Sequence, residues 1–443
     1  MTAAGSRSAA AAGSSSLSGA DSAGSVGVAG TGSQTGSATA SQAGYGGQGS
    51  VSAGGASAGG TVGGGGSAGG PGAGGSGGVG VASGSVVTLG NVGTYSGVIG
   101  AIFTGAQQAI QMWAKHTNAH GGLNGHVVRV ISADDGGDPS TSQTQVEQLV
   151  TQNHAIAFVG NIVPLTVQAS LSYLEQQHIP VMGVYSATET DFQSPVLFPA
   201  TTEINHLADG NVKLALAAGK SKLAFLYCVE APACGQGDDY LIKQGHARAD
   251  GANPVYSTSF SLTQPSFTAQ CLQAQQAGAD FLFMGGDGNS LERTAHDCAA
   301  QNYHPLYEAV SLGVSGSMQS DAQLNGMLAS QASFPWMDSN TPAQAAYLDA
   351  ARAYAPGIVG SGASSNEWTS GALAVAASKF LGANPTSAQF FQGLWTIKNN
   401  DLGGLAPPLT FNANGNASVA TCYFVITLQN GRFVDPNHGK YIC

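Results

Sequence analysis

Six cysteines, Cys228, Cys234, Cys271, Cys298, Cys422 and Cys443, carry the most definite chemistry of this chain. Their number is even, no CxxC pair occurs, and none stands at zinc-ligand spacing to a histidine. They therefore read as disulfides rather than a metal site. Fifteen connectivities are open to six cysteines. Pairing of sequence neighbours is preferred, Cys228 with Cys234, Cys271 with Cys298 and Cys422 with Cys443. Disulfides imply an oxidising compartment. Asp134-Asp135 are paired carboxylates of the type that hold a cation. The histidines are scattered, with no HExxH, and no Ser/His/Asp set is assignable. No catalytic residue, metal or cofactor is expected. Gly74-Gly75-Ser76-Gly77-Gly78 matches a nucleophile elbow in letters only, since no strand precedes it and no helix follows.

The chain has 443 residues and a formal net charge of -11, with only 9% charged residues. An acidic chain without basic clusters argues against nucleic acid as a partner. Before residue 84, Gly, Ala and Ser dominate, the only charges are Arg7 and Asp21, and Tyr45 is the only aromatic. Such a stretch buries too little apolar surface to offset its ordering entropy, so 1–84 reads as a disordered, flexible linker. No run reaches the roughly 18 apolar residues of a membrane helix. Met1 is not followed by a basic region and an apolar core, and no cysteine in the tail offers a lipid attachment point.

From Ser85 onward, short apolar runs alternate with amphipathic stretches. Strands are expected at 86–90, 126–131, 155–159 and 180–184, then at 222–227, 254–260, 280–284 and 306–310. Helices are expected at 102–117, 139–153, 165–177, 236–250, 267–276, 291–300, 342–355, 367–381 and 387–398. Asp138 and Pro139 supply the cap and first position of one of them. Asn430-Gly431 predicts the turn of a closing hairpin. Two successive runs of βα units imply an α/β fold with two doubly wound parallel-sheet lobes.

Several segments resemble the leucine/isoleucine/valine-binding family of ABC-transporter substrate-binding proteins, which has the type I periplasmic binding protein fold. The most specific is Asn118-Ala119-His120-Gly121-Gly122-Leu123-Asn124-Gly125, followed by a strand and Asp134-Asp135-Gly136-Gly137-Asp138-Pro139. Tyr95-Ser96-Gly97, Phe158-Val159-Gly160, Ile179-Pro180-Val181, Gly285-Gly286 and Pro408-Leu409-Thr410-Phe411 continue it in order. The resemblance implies a three-strand hinge. Lobe one would hold about 86–202 and 326–410, and lobe two about 203–325 and 411–443. It also implies an extracytoplasmic, monomeric protein that closes on a small polar molecule (an amino acid, amide or small carboxylate) and delivers it to an ABC permease. A ligand-sensing receptor or regulator domain of the same fold is the alternative. In this family Asp134-Asp135 only end a strand and lead into a helix.

The resemblance also nominates ligand contacts. Tyr95 and Ser96 follow the first strand. Pro164, Leu165 and Thr166 stand where amino-acid binders hold a carboxylate with a Ser, so a hydroxyl and an N–H are missing here. Tyr185, Ser186 and Thr188 flank Ala187, which replaces the family's ammonium-binding Thr. Cys234 and Asp287 replace family aromatics. No acid stands at Ser311-Leu312-Gly313, where the family has its ammonium-pairing Glu, so Glu230 or Asp287 is expected to substitute. Asn366 matches a ligand-facing position, while Trp368 reads as core.

Overall fold

The structure, a computed structural model, describes residues 80–443 except Thr104, Val310 and Asn414. The expected linker lies outside the described residues as far as 79. The first sheet comprises β1 (Gly84–Gly93), β2 (His126–Asp134), β3 (Ala157–Val159), β4 (Val181–Met182) and β5 (Leu197–Phe198). All pairs are parallel, in the order β2-β1-β3-β4-β5. Between them lie α1 (Ala106–Ala119), α2 (Pro139–Thr151), α3 (Val167–Gln177) and the single turn α4 (Thr190–Gln193). The last seven residues of β1 are all buried, as expected for a strand covered on both faces. Gly90 is required there, because a Cβ would sit 2.4 Å from the Phe158 ring. Asp138 caps α2 by accepting from the Thr141 N–H, with Pro139 at its first position, as the sequence predicts.

The chain then enters α5 (Ile204–Ala217), β6 (Lys222–Cys228), α6 (Pro232–Asp238), α7 (His246–Asp250), β7 (Asn253–Phe260), α8 (Thr268–Gln276), β8 (Phe281–Gly285), α9 (Gly288–Ala299), β9 (Leu306–Ala309) and β10 (Leu328–Gln331). It returns to the first lobe as α10 (Pro342–Tyr354), α11 (Gly362–Ala377) and α12 (Ser387–Leu394). There α10 and α11 pack on α1, and α11 also reaches β3 and β4. The hairpin β11 (Phe424–Gln429) and β12 (Arg432–Val434) closes the second sheet, ordered β12-β11-β10-β9-β8-β6-β7. Its β10–β11 and β11–β12 pairs are antiparallel and the others parallel. The hairpin turn is at Asn430-Gly431, with φ of 50° and 74° respectively, as its sequence demands.

Three expectations need correction. The boundary expected near 326 falls later, because 328–331 pair with β9 and β11 in the second sheet. The helix expected over 236–250 is broken. α6 ends at Asp238, a π-helical stretch spans Asp239–Lys243, and Gly245 at φ 85° starts α7. The helix expected from Ile102 begins at Ala106, since Gly100–Phe103 is a 3₁₀ turn and Gly105 is left-handed. All six cysteines are bonded in the preferred pairing, with Cα–Cα separations of 5.3, 5.0 and 4.1 Å in chain order.

The three passages between the sheets are laced by one residue. The Thr202 N–H donates to the Ala332 carbonyl at 3.1 Å, and its hydroxyl donates to Cys422 O at 2.6 Å and Ala332 O at 3.3 Å. Thr202 is 2% exposed, so water cannot replace these bonds. Thr202→Val is expected to cost about 1–3 kcal/mol, the price of stranding a buried carbonyl, with the fold retained. Urea unfolding of both proteins checks this.

Candidate ligand cleft

The carboxyl ends of the strands in both sheets converge on a cleft, the usual binding position in open parallel sheets. The cavity between the lobes is about 100 Å³ in volume. Lobe one contributes Ile99, Ile102, Phe103, Pro164, Tyr185 and Ala187. Lobe two contributes the start of α5 (Ile204, Asn205, Leu207, Ala208 and Asn211) and the aromatics Phe225 and Phe283. It also adds Ala231, Ala233, Gly285, Gly286, Ser311 and Leu312, with both cysteines of the Cys228–Cys234 bridge.

The wall is apolar and carries no charged side chain. Polar side-chain groups come from Tyr185, Asn205, Asn211 and Ser311. Asn211 is engaged, donating to Ala309 O at 3.2 Å and accepting from Ser330 N at 2.7 Å. Ser311 Oγ accepts from Ala332 N at 2.9 Å and lies 3.4 Å from Gln331 Oε1. The Tyr185 hydroxyl and the Asn205 side-chain amide have no partner among the described residues, which leaves them for a ligand. Burial pushes the Tyr185 hydroxyl well above its ordinary range, and Asp191 and Glu203 add to that. It is therefore a hydrogen-bond donor at every physiological pH.

The nominated contacts divide. Pro164 and Tyr185 line the cleft, as do Ala187, Cys234, Ser311 and Leu312 among the positions compared with the family; the rest lie off this wall. Tyr95 donates to Asn91 Oδ1 at 2.8 Å. The backbone N–H of exposed Ser96 donates to Asp134 Oδ1. Leu165 packs over Gly137, and the Thr166 hydroxyl donates to Asp135 Oδ2 at 2.6 Å. Ser186 donates from N and Oγ to Asp191, and its Oγ also meets Thr188 Oγ1 at 2.7 Å. Asn366 is fully buried, with neither amide atom hydrogen-bonded.

Neither acid expected to pair an ammonium lines the cleft, although Glu230 keeps Oε2 buried without a hydrogen-bond partner. Glu230 accepts from Ser261 Oγ at 2.6 Å and Leu262 N at 2.9 Å. Asp287 caps α9 by accepting from Ser290 N at 2.7 Å. Each is held by the local loop, because a carboxylate beside free backbone N–H groups satisfies them first.

Asp134 and Asp135 knit the loops after β1 and β2. Asp134 accepts from the N–H groups of Tyr95, Ser96 and Gly136, and Asp135 from Thr94 Oγ1 and Gly137 N as well as Thr166. No group of three metal-ligating side chains occurs among the described residues. Contrary to the expectation of no i,i+4 histidine pair on a helix face, His116 and His120 stand at that spacing and stack at 4.0 Å at the end of α1. Trp368 is core, packed against His116 and Tyr347.

A family model described as periplasmic binding protein matches residues 86–432. The chain belongs to the periplasmic binding protein family. Within it, the leucine/isoleucine/valine-binding resemblance holds. A possible leucine/isoleucine/valine-binding protein from Rhodopirellula baltica SH 1 superposes with a TM-score of 0.69 at 19% identity, covering 81% of this chain and 98% of that one. A leucine-binding protein from Thermotoga maritima MSB8 gives 0.66 at 12%, covering 80% and 98%. A solute-binding protein of an R. palustris ABC transporter, solved with benzoate, gives 0.66 at 15%, covering 81% and 98%. No curated protein sequence matches the chain. Periplasmic binding proteins are extracytoplasmic solute-binding proteins and not enzymes, and this chain shares their fold. No described helix is long and apolar enough to cross a membrane.

Proposed function

We propose that the chain captures a small, largely apolar solute, an aromatic ring with one acceptor end such as a carboxylate or amide, and hands it to an ABC permease. The observation that carries this reading is the cleft wall: four aromatic rings, no charged side chain and two unengaged donors, Tyr185 Oη and the Asn205 amide. A zwitterionic amino acid fits less well. Its ammonium would be desolvated with no acid on the wall, which costs several kcal/mol. The benzoate complex of the R. palustris neighbour supports the same class.

Ligand capture works by differential affinity for the closed form. The lobes present separate apolar faces, and a solute that touches both shifts the population toward closure about the Thr202 crossovers. The protein acts outside the cytoplasm as a monomer, with the 1–84 segment as its tether, in keeping with three disulfides.

A thermal-shift panel of benzoate, benzamide, 4-hydroxybenzoate, leucine, glutamate and glucose tests the class. Stabilisation follows RT ln(1 + [L]/Kd), about 2.7 kcal/mol at a hundredfold excess over Kd. Stabilisation by aromatic acids or amides is expected, and Tyr185→Phe should weaken binding about five- to tenfold through one lost hydrogen bond. Stabilisation by leucine or glutamate alone overturns the reading.

A further inference from the structure

We propose that the Cys228–Cys234 disulfide is a positioning element of the ligand cleft, holding the 229–233 loop and the first turn of α6 in place as its lobe-two wall. This rests on the solute-binding reading above. Cys228 ends β6, which lies between β8 and β7 inside the second sheet, and is 2% exposed. It is therefore a fixed point. Cys234 is half-buried at the start of α6.

Four of the seven residues from one sulfur to the other line the cleft: Cys228, Ala231, Ala233 and Cys234. The segment has little else to fix it. Val229 is 62% exposed, Pro232 is exposed, and Asp238 is the only buried residue of α6. The N-terminus of α6 has no side-chain cap. The remaining ties, Val229 N to Phe260 O and Glu230 to Ser261 and Leu262, all hold the first two residues of the loop. Ala231 and Cys234 touch the core and Gly237 meets the Phe225 ring, but among the described residues the bridge is the one bonded tie from 231–236 back to β6.

The other bridges differ in place and role. Cys271–Cys298 is fully buried between α8 and α9, and Cys422–Cys443 fastens the C-terminus beside the Thr202 crossover. A wall that must be ordered at the moment of binding lowers affinity, so fixing it beforehand raises affinity with no new contact.

The test compares the full chain with its Cys228→Ala/Cys234→Ala variant. Benzoate affinity is measured by calorimetry, ligand-free unfolding by circular dichroism, and backbone exchange by hydrogen–deuterium mass spectrometry. At least about a tenfold rise in Kd is expected, with ligand-free melting lowered by only a few degrees and faster exchange confined to 229–237. An unchanged Kd with unchanged exchange in 229–237 overturns the proposal. So does a variant that fails to fold, since the bridge would then serve the fold rather than the cleft. Cys228→Ser/Cys234→Ser repeats the measurement with a different replacement and is expected to agree. Wild-type chain that binds neither benzoate nor any member of the panel refutes the solute reading. The exchange in 229–237 still decides whether the bridge positions the wall.

Discussion

Ala231→Trp is expected to abolish solute binding, weakening it by about a hundredfold or more, while leaving the fold intact. Ala231 sits on the lobe-two wall, half-buried, just before α6. An indole there projects into a cavity of about 100 Å³. It also stands between the lobes as they close, so the ligand-free and ligand-bound states both resemble the open form. Because Ala231 lines the cleft but also touches the core, the cost to stability should be about 1–3 kcal/mol, as for overpacking, with the fold retained. Calorimetric titration beside a urea melt separates the two effects. Unimpaired binding by Ala231→Trp would mean that the solute sits elsewhere.

Stability is expected to fall as pH rises from about 4 to about 8, the opposite of the acid denaturation seen when paired carboxylates dominate. Glu308 and Glu367 are fully buried, and neither carboxyl has a hydrogen-bond partner. Burial pushes both well above the ordinary range. Glu367 lies against Gly160, with Tyr95 and Asn91 near but short of bonding geometry, and these two oppose the rise only in part. Asp338 is pushed up to about 8 by burial and by Asp435 beside it. Asp191 is pushed up to about 6 by burial despite the Ser186 bonds, and burial raises Glu203 too.

A carboxyl with a raised folded pKa binds more protons folded than unfolded. Its contribution is complete below the unfolded pKa, near 4, and is lost as pH rises through the folded value. Each pH step of one within that window costs about 1.4 kcal/mol for every carboxyl protonated only in the folded state. Asp134 and Asp138 are shifted down, Asp134 by hydrogen bonds from Ser96, Tyr95 and Gly136 that outweigh its desolvation, Asp138 by those from Ser140 and Thr141. They act below the window and in the other sense. Glu308→Gln and Asp338→Asn should flatten the slope and leave the protein more stable than wild type at pH 8. Urea unfolding at pH 5 and pH 8 checks this. Wild-type stability that rises with pH across the window would contradict it.

The fold was legible in the sequence because its strands are short apolar runs covered on both faces, and such runs survive without tertiary information. The cysteine pairing was legible for a related reason: each pair joins neighbouring elements. The cleft was less so. α5 was not expected, since Gly210 interrupts its apolar spacing. Glu203 as cap and Leu207, Ala208, Val212 and Ala215 on its buried face were the available signal. That helix start carries Asn205 and Asn211, so both were missed. Ile102 and Phe103 were read as the first turn of a helix and prove to be cleft wall.

The polar candidates off the cleft wall share one physical circumstance. Residue type does not reveal whether a hydroxyl or carboxylate is already engaged. Thr166, Ser186, Thr188, Glu230 and Asp287 all satisfy nearby loop groups. Tyr185 lines the cleft because a large ring at a strand's carboxyl end has few other places to go.

On the proposed reading, the interlobe cleft binds a small aromatic solute with one acceptor end. Calorimetric titration of the full chain with benzoate and with leucine, on wild type and Ala231→Trp, tests it most directly. Saturable binding of benzoate to wild type, much weaker binding of leucine, and no benzoate binding by the variant is the predicted result. Tight leucine binding with none of benzoate, or equal benzoate binding by wild type and Ala231→Trp, would contradict it.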